Sequence, residues 1–406
     1  LCLTLSLTYV ASQLPLFDSS PRLLASPSDS ALAKAVYPLL RWDTFHFLHI
    51  AQDGYVYEYE WAFFPGAPFV MRTCGEVLRR LSGSEQASVA HLLAGGGLAS
   101  LLCETVTTLY DLTLHYFGSP AIAYLTCLLS LLPSSPVTLR FSAYTEPFFT
   151  YFSYRGMLCC ARTEWLHATL FFAVASTFRA NGLMLAGYVI WGMVVEPLLE
   201  RARVSPVQIL KSCILTCVVF TPFVYHQYNA YRAFCLDVSA SNLSPWCASR
   251  LPLVYGYVQA KYWNSGFLLY WTPSQAPNIL LAAPVLATLF AFCSLHLKTC
   301  TLPYVRSWPP LTGRPRPHPA PHAKSPFLTN TAVIPHALHA LALALILLFA
   351  AHTQITLRQA AALPTTYWAA AWLVAEHPRA GRCWVTWSVV WGAVSVVLWA
   401  VFLPPA

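Results

Sequence analysis

Charge is what this chain has least of. Asp, Glu, Lys and Arg make up 10% of its 406 residues, against about 25% in an ordinary soluble domain. With 57% hydrophobic residues and a mean hydropathy of +0.52, there are too few polar side chains to cover a soluble globule. A soluble domain is therefore excluded. Metal-binding spacing is also missing. The 13 cysteines form no Cys-x-x-Cys pair and no Cys/His pattern suited to an ion. No internal repeat is present, which argues against the duplicated halves of many transporters. The net charge of +8 falls largely in loops between apolar runs. That pattern suits lipid headgroups and a cytosolic face, not nucleic acid.

What is present is a series of apolar runs, each suited to a bilayer that needs about 20 apolar residues per helix. Leu1 to Phe17 reads as a first span, shortened at its start. Further runs cover 88–114, 121–132, 166–178, 183–195, 209–225, 278–297, 331–351 and 384–402, while 367–375 is apolar but too short to assign. With the run after Pro147, about ten membrane segments are expected in one polytopic all-α domain, residues 1–406. Two large polar loops interrupt them, at about 18–85 and about 226–277. A Pro-rich linker begins at Lys298 and runs to Lys324, reaching about residue 330 at its limit. It holds Lys298, Arg306, Arg314, Arg316 and Lys324 with no acid, and reads as extended. This linker and the Glu200–Lys211 loop belong in the cytosol by the positive-inside tendency. Both large loops and the turn at Glu146 then fall on the opposite side. Asn242-Leu243-Ser244 is a glycosylation sequon in the second loop, followed by Pro245.

Half of the 16 acidic residues lie between Asp18 and Glu85, and acid near a bilayer is a functional-site hypothesis by default. Within that loop, Asp29 or Ser30 can cap a short helix. Trp42, Phe45, His46 and His49 share one face of another. Asp43 has two readings: a half-buried carboxylate serving as general base, or a cap for the helix that follows. Glu146 can hold a sugar hydroxyl or a basic partner, or cap the helix starting at Pro147. Arg179 and Asn181 separate two apolar runs, where an Arg either snorkels or binds a phosphate. His46 and His49 lack a third metal ligand at a convincing spacing. Tyr255, Tyr257, Tyr262, Trp263, Tyr270 and Trp271 read as an interfacial aromatic belt. Cys235 and Cys247 share one loop and can bridge in an oxidising compartment.

The stretch RWDTFHFLHIAQDGYVYEYEWAFFPGAP resembles the signature of the GPI mannosyltransferase 2 family, W-D-x-x-[HY]-F-x-x-I-A-x-x-G-Y-x-Y-E-[HY]-x-x-A-F-F-P-x-x-P. FSAYTEPFFTYFSYRGM, STFRANG, YHQYNAYRAFC and PWCASRLPLVYGYVQAKYWNSGFLLYWTPSQAPNILLAAP follow in the family's order, and WAVFLPPA at the end is similar to fungal members. The departures are the short first span and the linker at 298–324.

The resemblance implies a GT-C-type fold in the endoplasmic reticulum membrane with a lumenal site. It implies dolichyl phosphate mannose as donor, a mannosylated GPI precursor as acceptor, an α-1,6 bond and an inverting displacement. In that scheme Asp43 is the base. Arg179 comes first for the leaving phosphate, with Arg140, His46 and Lys261 behind it. Glu146 and Asn181 hold sugar hydroxyls, and Trp42 packs on the mannose ring. No metal and no cofactor is expected, since the donor carries one phosphate and the chain has no Asp-x-Asp triplet. A small membrane partner subunit is implied by the resemblance alone. The rival readings are another mannosyltransferase using the same donor, a lipid or solute transporter, and a non-catalytic membrane subunit.

Overall fold

Backbone amides in a chain this poor in charge must be satisfied internally where lipid replaces water, and helices do this within one segment. The computed structural model describes residues 1–24, 30–132, 135–200, 203–236, 243–306 and 325–403. Among these it contains helices and no strand. Six helices are long and apolar enough to cross a membrane: Val89–Phe117, Ala180–Leu199, Pro206–Leu236, Pro273–Arg306, Thr331–Phe349 and Pro378–Ala400. Shorter apolar helices cover Cys2–Ala11, Pro120–Ser130 and Trp165–Ser176.

Local chemistry sets many of the ends. Ser30 accepts a hydrogen bond from Ala33 N and caps Ala31–Val36. Ser119 and Ser205 do the same for helices that carry Pro at their first position. Gly118 takes the left-handed conformation that stops the helix before it.

The stretch 367–375 is part of a helix, Pro364–Glu376, and every residue from Pro364 to Trp372 is buried. Periodicity alone does not separate such a helix from a short span. Ala369, Ala370 and Ala371 let its neighbours close in on all sides: Pro120–Ser130, Ala276–His296, Ile334–Phe349 and Pro378–Ala400. The helix Pro206–Tyr231 is the opposite case. Ile209, Leu210, Ile214, Val224 and Tyr225 are all exposed, as a lipid-facing surface requires.

Several expected bounds change. The first helix ends at Ala11. The second large loop does not begin at 226, because His226 lies inside Pro206–Tyr231, which continues through a π turn to Leu236. The buried His226 Nε2 meets the Trp61 carbonyl at 3.0 Å, which ties this helix to the first loop. The run 88–114 is broken between Leu101 and Thr105. Asp29, the sequon residue Asn242 and the linker from 307 to 324 lie outside the described residues.

Both large loops are folded. Trp61 from the first joins Trp246, Val254 and Val258 from the second in a small apolar core. Cys235 and Cys247 are disulfide-bonded beside it. Glu58 of the first loop accepts from Ser244 Oγ, Trp246 Nε1 (3.0 Å), Lys261 Nζ (2.9 Å) and Tyr262 Oη (3.2 Å) of the second.

The first loop docks on the bundle where Gly66–Leu81 crosses Val89–Leu101. A Cβ on Gly95 would lie 2.4 Å from the backbone N of Gly75. Gly95→Ala should therefore force two backbones apart and destabilise the protein by about 1–3 kcal/mol. Gly187→Ala, with nothing within 4 Å of the added Cβ, should be neutral. Thermal unfolding of the two purified variants in detergent checks this.

Candidate functional site

The two loops and the polar stretch after Phe349 enclose a cavity of about 380 Å³. The sequence brings five kinds of group to its wall. Trp42 and Asp43 come from the turn before Thr44–Asp53, and Tyr144 and Thr145 from the start of Thr145–Ala161. Arg179 and Asn181 lie between two apolar helices, Gln259 and Trp263 on the helix Val254–Trp263, and His352, Gln354, Arg358 and Gln359 after the span Thr331–Phe349.

A chain of four charges runs along one side. Asp43 Oδ2 accepts from Arg358 Nη2 at 2.9 Å. Arg358 Nε donates to Glu146 Oε1 at 2.6 Å, and Arg179 Nη1 donates to the same oxygen at 2.7 Å. Thr145 Oγ1 accepts from Arg179 at 3.2 Å and donates to Glu146 Oε2 at 3.2 Å. The Arg358 guanidinium also lies 4.9 Å from the centre of the Tyr144 ring. Tyr144 Oη accepts from Asp43 N at 3.0 Å and donates to Arg41 O at 3.2 Å, so one side chain anchors both ends of the pair.

Burial opposes charge on Glu146, but Arg358 and Arg179 outweigh it and hold its carboxyl well below the usual range. Burial likewise opposes the charge of Arg358, and Glu146 and Asp43 outweigh it, raising its pKa. Exposure then separates the two acids. The Glu146 side chain is 2% exposed and that of Asp43 is 33% exposed. Asp43 Oδ1 has no hydrogen-bond partner among the described residues, so Asp43 alone of the two can reach a ligand.

Other candidates fall in different places. Asp43 occupies the cap position of Thr44–Asp53 but makes no capping hydrogen bond, so its side chain serves the arginine instead. Glu146 sits in a first helical turn, behind the guanidiniums with both oxygens engaged, and does not line the cavity. It holds basic partners and not a sugar hydroxyl. Asn181 lines the wall with its Nδ2 donating to Gln359 Oε1 at 3.2 Å. Trp42 has φ +53, strained for a bulky residue by about 1–3 kcal/mol. Its ring stacks on Phe402 at 5.1 Å, and its buried Nε1 has no partner among the described residues.

Three residues expected at the phosphate are elsewhere. Arg140 reaches Thr105 Oγ1 and Ser130 O beside a separate cavity of about 20 Å³, too small for a sugar phosphate. His46 stacks on Phe63 at 4.5 Å outside the cavity wall, and burial lowers its pKa, which favours the neutral ring. Lys261 pairs with Glu58 and clamps the loops together. Among the described residues no group of three His, Cys, Asp or Glu is placed to hold a metal ion.

The family model described as Mannosyltransferase (PIG-V) matches residues 3–406. The chain belongs to the PIG-V mannosyltransferase family. It is 35% identical to a GPI mannosyltransferase 2 of Cryptococcus neoformans, over 98% of this chain and 94% of that one. It is 32% identical to the GPI alpha-1,6-mannosyltransferase 2 of Cricetulus griseus, over 86% of this chain and 76% of that one. A GPI mannosyltransferase 2 of Yarrowia lipolytica is 29% identical over 96% and 92% of the two chains. No solved structure matches.

For this PIG-V family member, the residue that sequence reasoning missed is Arg358. It is the one Asp, Glu, Lys or Arg between Lys324 and Glu376. An isolated charge just past an apolar span was the available signal. Arg358→Ala should leave Glu146 with one cation and the Asp43 carboxylate with none, costing about 3–5 kcal/mol as a broken buried pair does. Lys261→Ala, at a half-exposed pair, should cost under about 1 kcal/mol. Denaturant unfolding in detergent separates the two.

Proposed function

We propose that this protein transfers the second mannose of the GPI anchor, in α-1,6 linkage, from dolichyl phosphate mannose to the mannosylated GPI precursor. The reading joins the family membership, and the α-1,6 activity in the names of relatives, to one observation. Among the described residues Asp43 is the one carboxylate that lines the cavity, its Oδ1 without a partner, with Arg358 paired to it and Arg179 on the same wall. A sugar hydroxyl acting as nucleophile needs a base, and a departing phosphate needs positive charge.

The donor is β-linked and the product α-linked, so one displacement suffices. The acceptor 6-hydroxyl oxygen forms a bond to the anomeric carbon. The bond from that carbon to the phosphate oxygen breaks, and its electron pair leaves with dolichyl phosphate. The hydroxyl proton passes to Asp43. Arg179 and Arg358 offset the charge growing on the phosphate. Asn181 and Gln359, which hold each other, offer amide groups to sugar hydroxyls. Trp42 lines the wall, its ring stacked on Phe402.

The chemistry is assigned to the lumenal face of the endoplasmic reticulum. The basic Glu200–Lys211 loop supports this orientation, and so does the disulfide that ties Cys235, at the helix end, to Cys247 of the second loop. A GT-C-type arrangement of about ten segments is part of the same proposal, and a small membrane partner subunit is compatible with it. The transporter reading is disfavoured by family membership.

The test is rescue of surface GPI-anchored proteins in cells lacking the second GPI mannosyltransferase. The wild-type chain should rescue. Asp43→Asn at equal expression should lose about 10²–10⁴ of the rate, as removal of a general base does. Rescue by both would remove Asp43 from that role. Failure of a well-expressed wild type would point to a different step.

A further inference from the structure

Arg358 serves two anions at once. Nε is committed to Glu146 and Nη2 to Asp43, while Nη1 makes no hydrogen bond among the described residues. Arg179 donates only from Nη1, leaving its Nε and Nη2 unengaged among the described residues. Both guanidiniums line the cavity. The four charges cancel, with two guanidiniums against two carboxylates. An anion that enters makes one carboxylate surplus. Glu146, 2% exposed and gripped by both arginines, has no route to solvent. Asp43, 33% exposed and held by one bond of 2.9 Å, is the one that can let go.

We propose that Arg358 is a phosphate-operated switch on the base: the donor's phosphate takes Nη1 and Nη2, and Asp43 is released to accept the acceptor's proton. The inference rests on the reaction proposed above and adds an order to it. Before the donor arrives, Asp43 Oδ2 is occupied by the Arg358 guanidinium. Once phosphate is seated on Nη1 and Nη2, that carboxylate oxygen is freed to face the acceptor hydroxyl. Arg179 completes the anion site with its two free donors, because a planar fork matches phosphate oxygens. Glu146 keeps Arg358 from following the phosphate away. Donor binding therefore precedes a productive encounter with the acceptor.

The test is a double-mutant cycle on binding of dolichyl phosphate, the sugar-free product, to the purified full-length protein in nanodiscs. If Asp43 and phosphate compete for Arg358, Asp43→Ala should tighten binding by about tenfold, and the gain should vanish when Arg358→Gln is also present. An equal gain in both backgrounds means a through-space effect of losing one negative charge, and overturns the switch. No gain with Arg358 intact overturns it as well. Where Arg358→Gln does not fold, Arg358→Lys replaces it in the cycle. One ammonium cannot hold Glu146 and also fork the phosphate, so the gain should shrink, and an undiminished gain rejects the proposal. Absence of any dolichyl phosphate binding by folded wild type is a separate result. It rejects the donor reading itself, and the switch with it.

Discussion

A carboxylate with 2% exposure cannot stay ionised in a helical bundle unless cations are fixed against it. Glu146 has two, and both reach the same oxygen. This demand draws together parts of the chain that have no other reason to meet. Arg179 comes from the junction of two apolar helices, Arg358 from the short turn after a span, and Glu146 from a first helical turn. Once Glu146 has fixed Arg358, Asp43 is positioned by Arg358 on one side and by Tyr144 on the other. The exposed acid at the cavity wall thus depends on a hidden acid behind it.

The roof of the cavity follows a similar logic with different parts. Glu60 accepts from Val56 N and Tyr57 N and meets His49 Nδ1 at 2.5 Å, which folds the first loop back on its own helix. Glu58, two residues earlier, points the other way and gathers four donors from the second loop. Trp61 then buries itself against Trp246 and Val258. Local acids that read in the sequence as a charged cluster are in fact divided. Asp43 serves the cavity, Glu60 the loop's own shape, and Glu58 the joint between loops.

Much of the fold was legible because apolar length and polar interruption are strong signals in a membrane chain. Trp42, Asp43, Arg179 and Asn181 were legible as a group and do share one wall. Arg140, His46 and Lys261 read as phosphate ligands behind Arg179, since a sequence shows that a side chain is basic but not which neighbour has claimed it. A backbone carbonyl, an aromatic ring and Glu58 claimed these three. Arg358 and Gln359 were missed for the converse reason. They lie in a featureless Ala-rich stretch, and their meaning comes from partners 315 and 178 positions away. The buried helix Pro364–Glu376 was obscure because helical length alone does not tell lipid from protein as a neighbour.

The separation of Asp43 and Arg358 by 315 positions bears on how the protein is made. A ribosome has translated most of the chain before Arg358 emerges, and until then Glu146 has at most one of its cations. The half-built bundle therefore carries a surplus carboxylate and a cavity that lacks part of its wall. A chain that ends before Arg358 leaves Asp43 without its cation and the cavity without part of its wall. Assembly of the charged wall therefore waits on one arginine that arrives late in the chain.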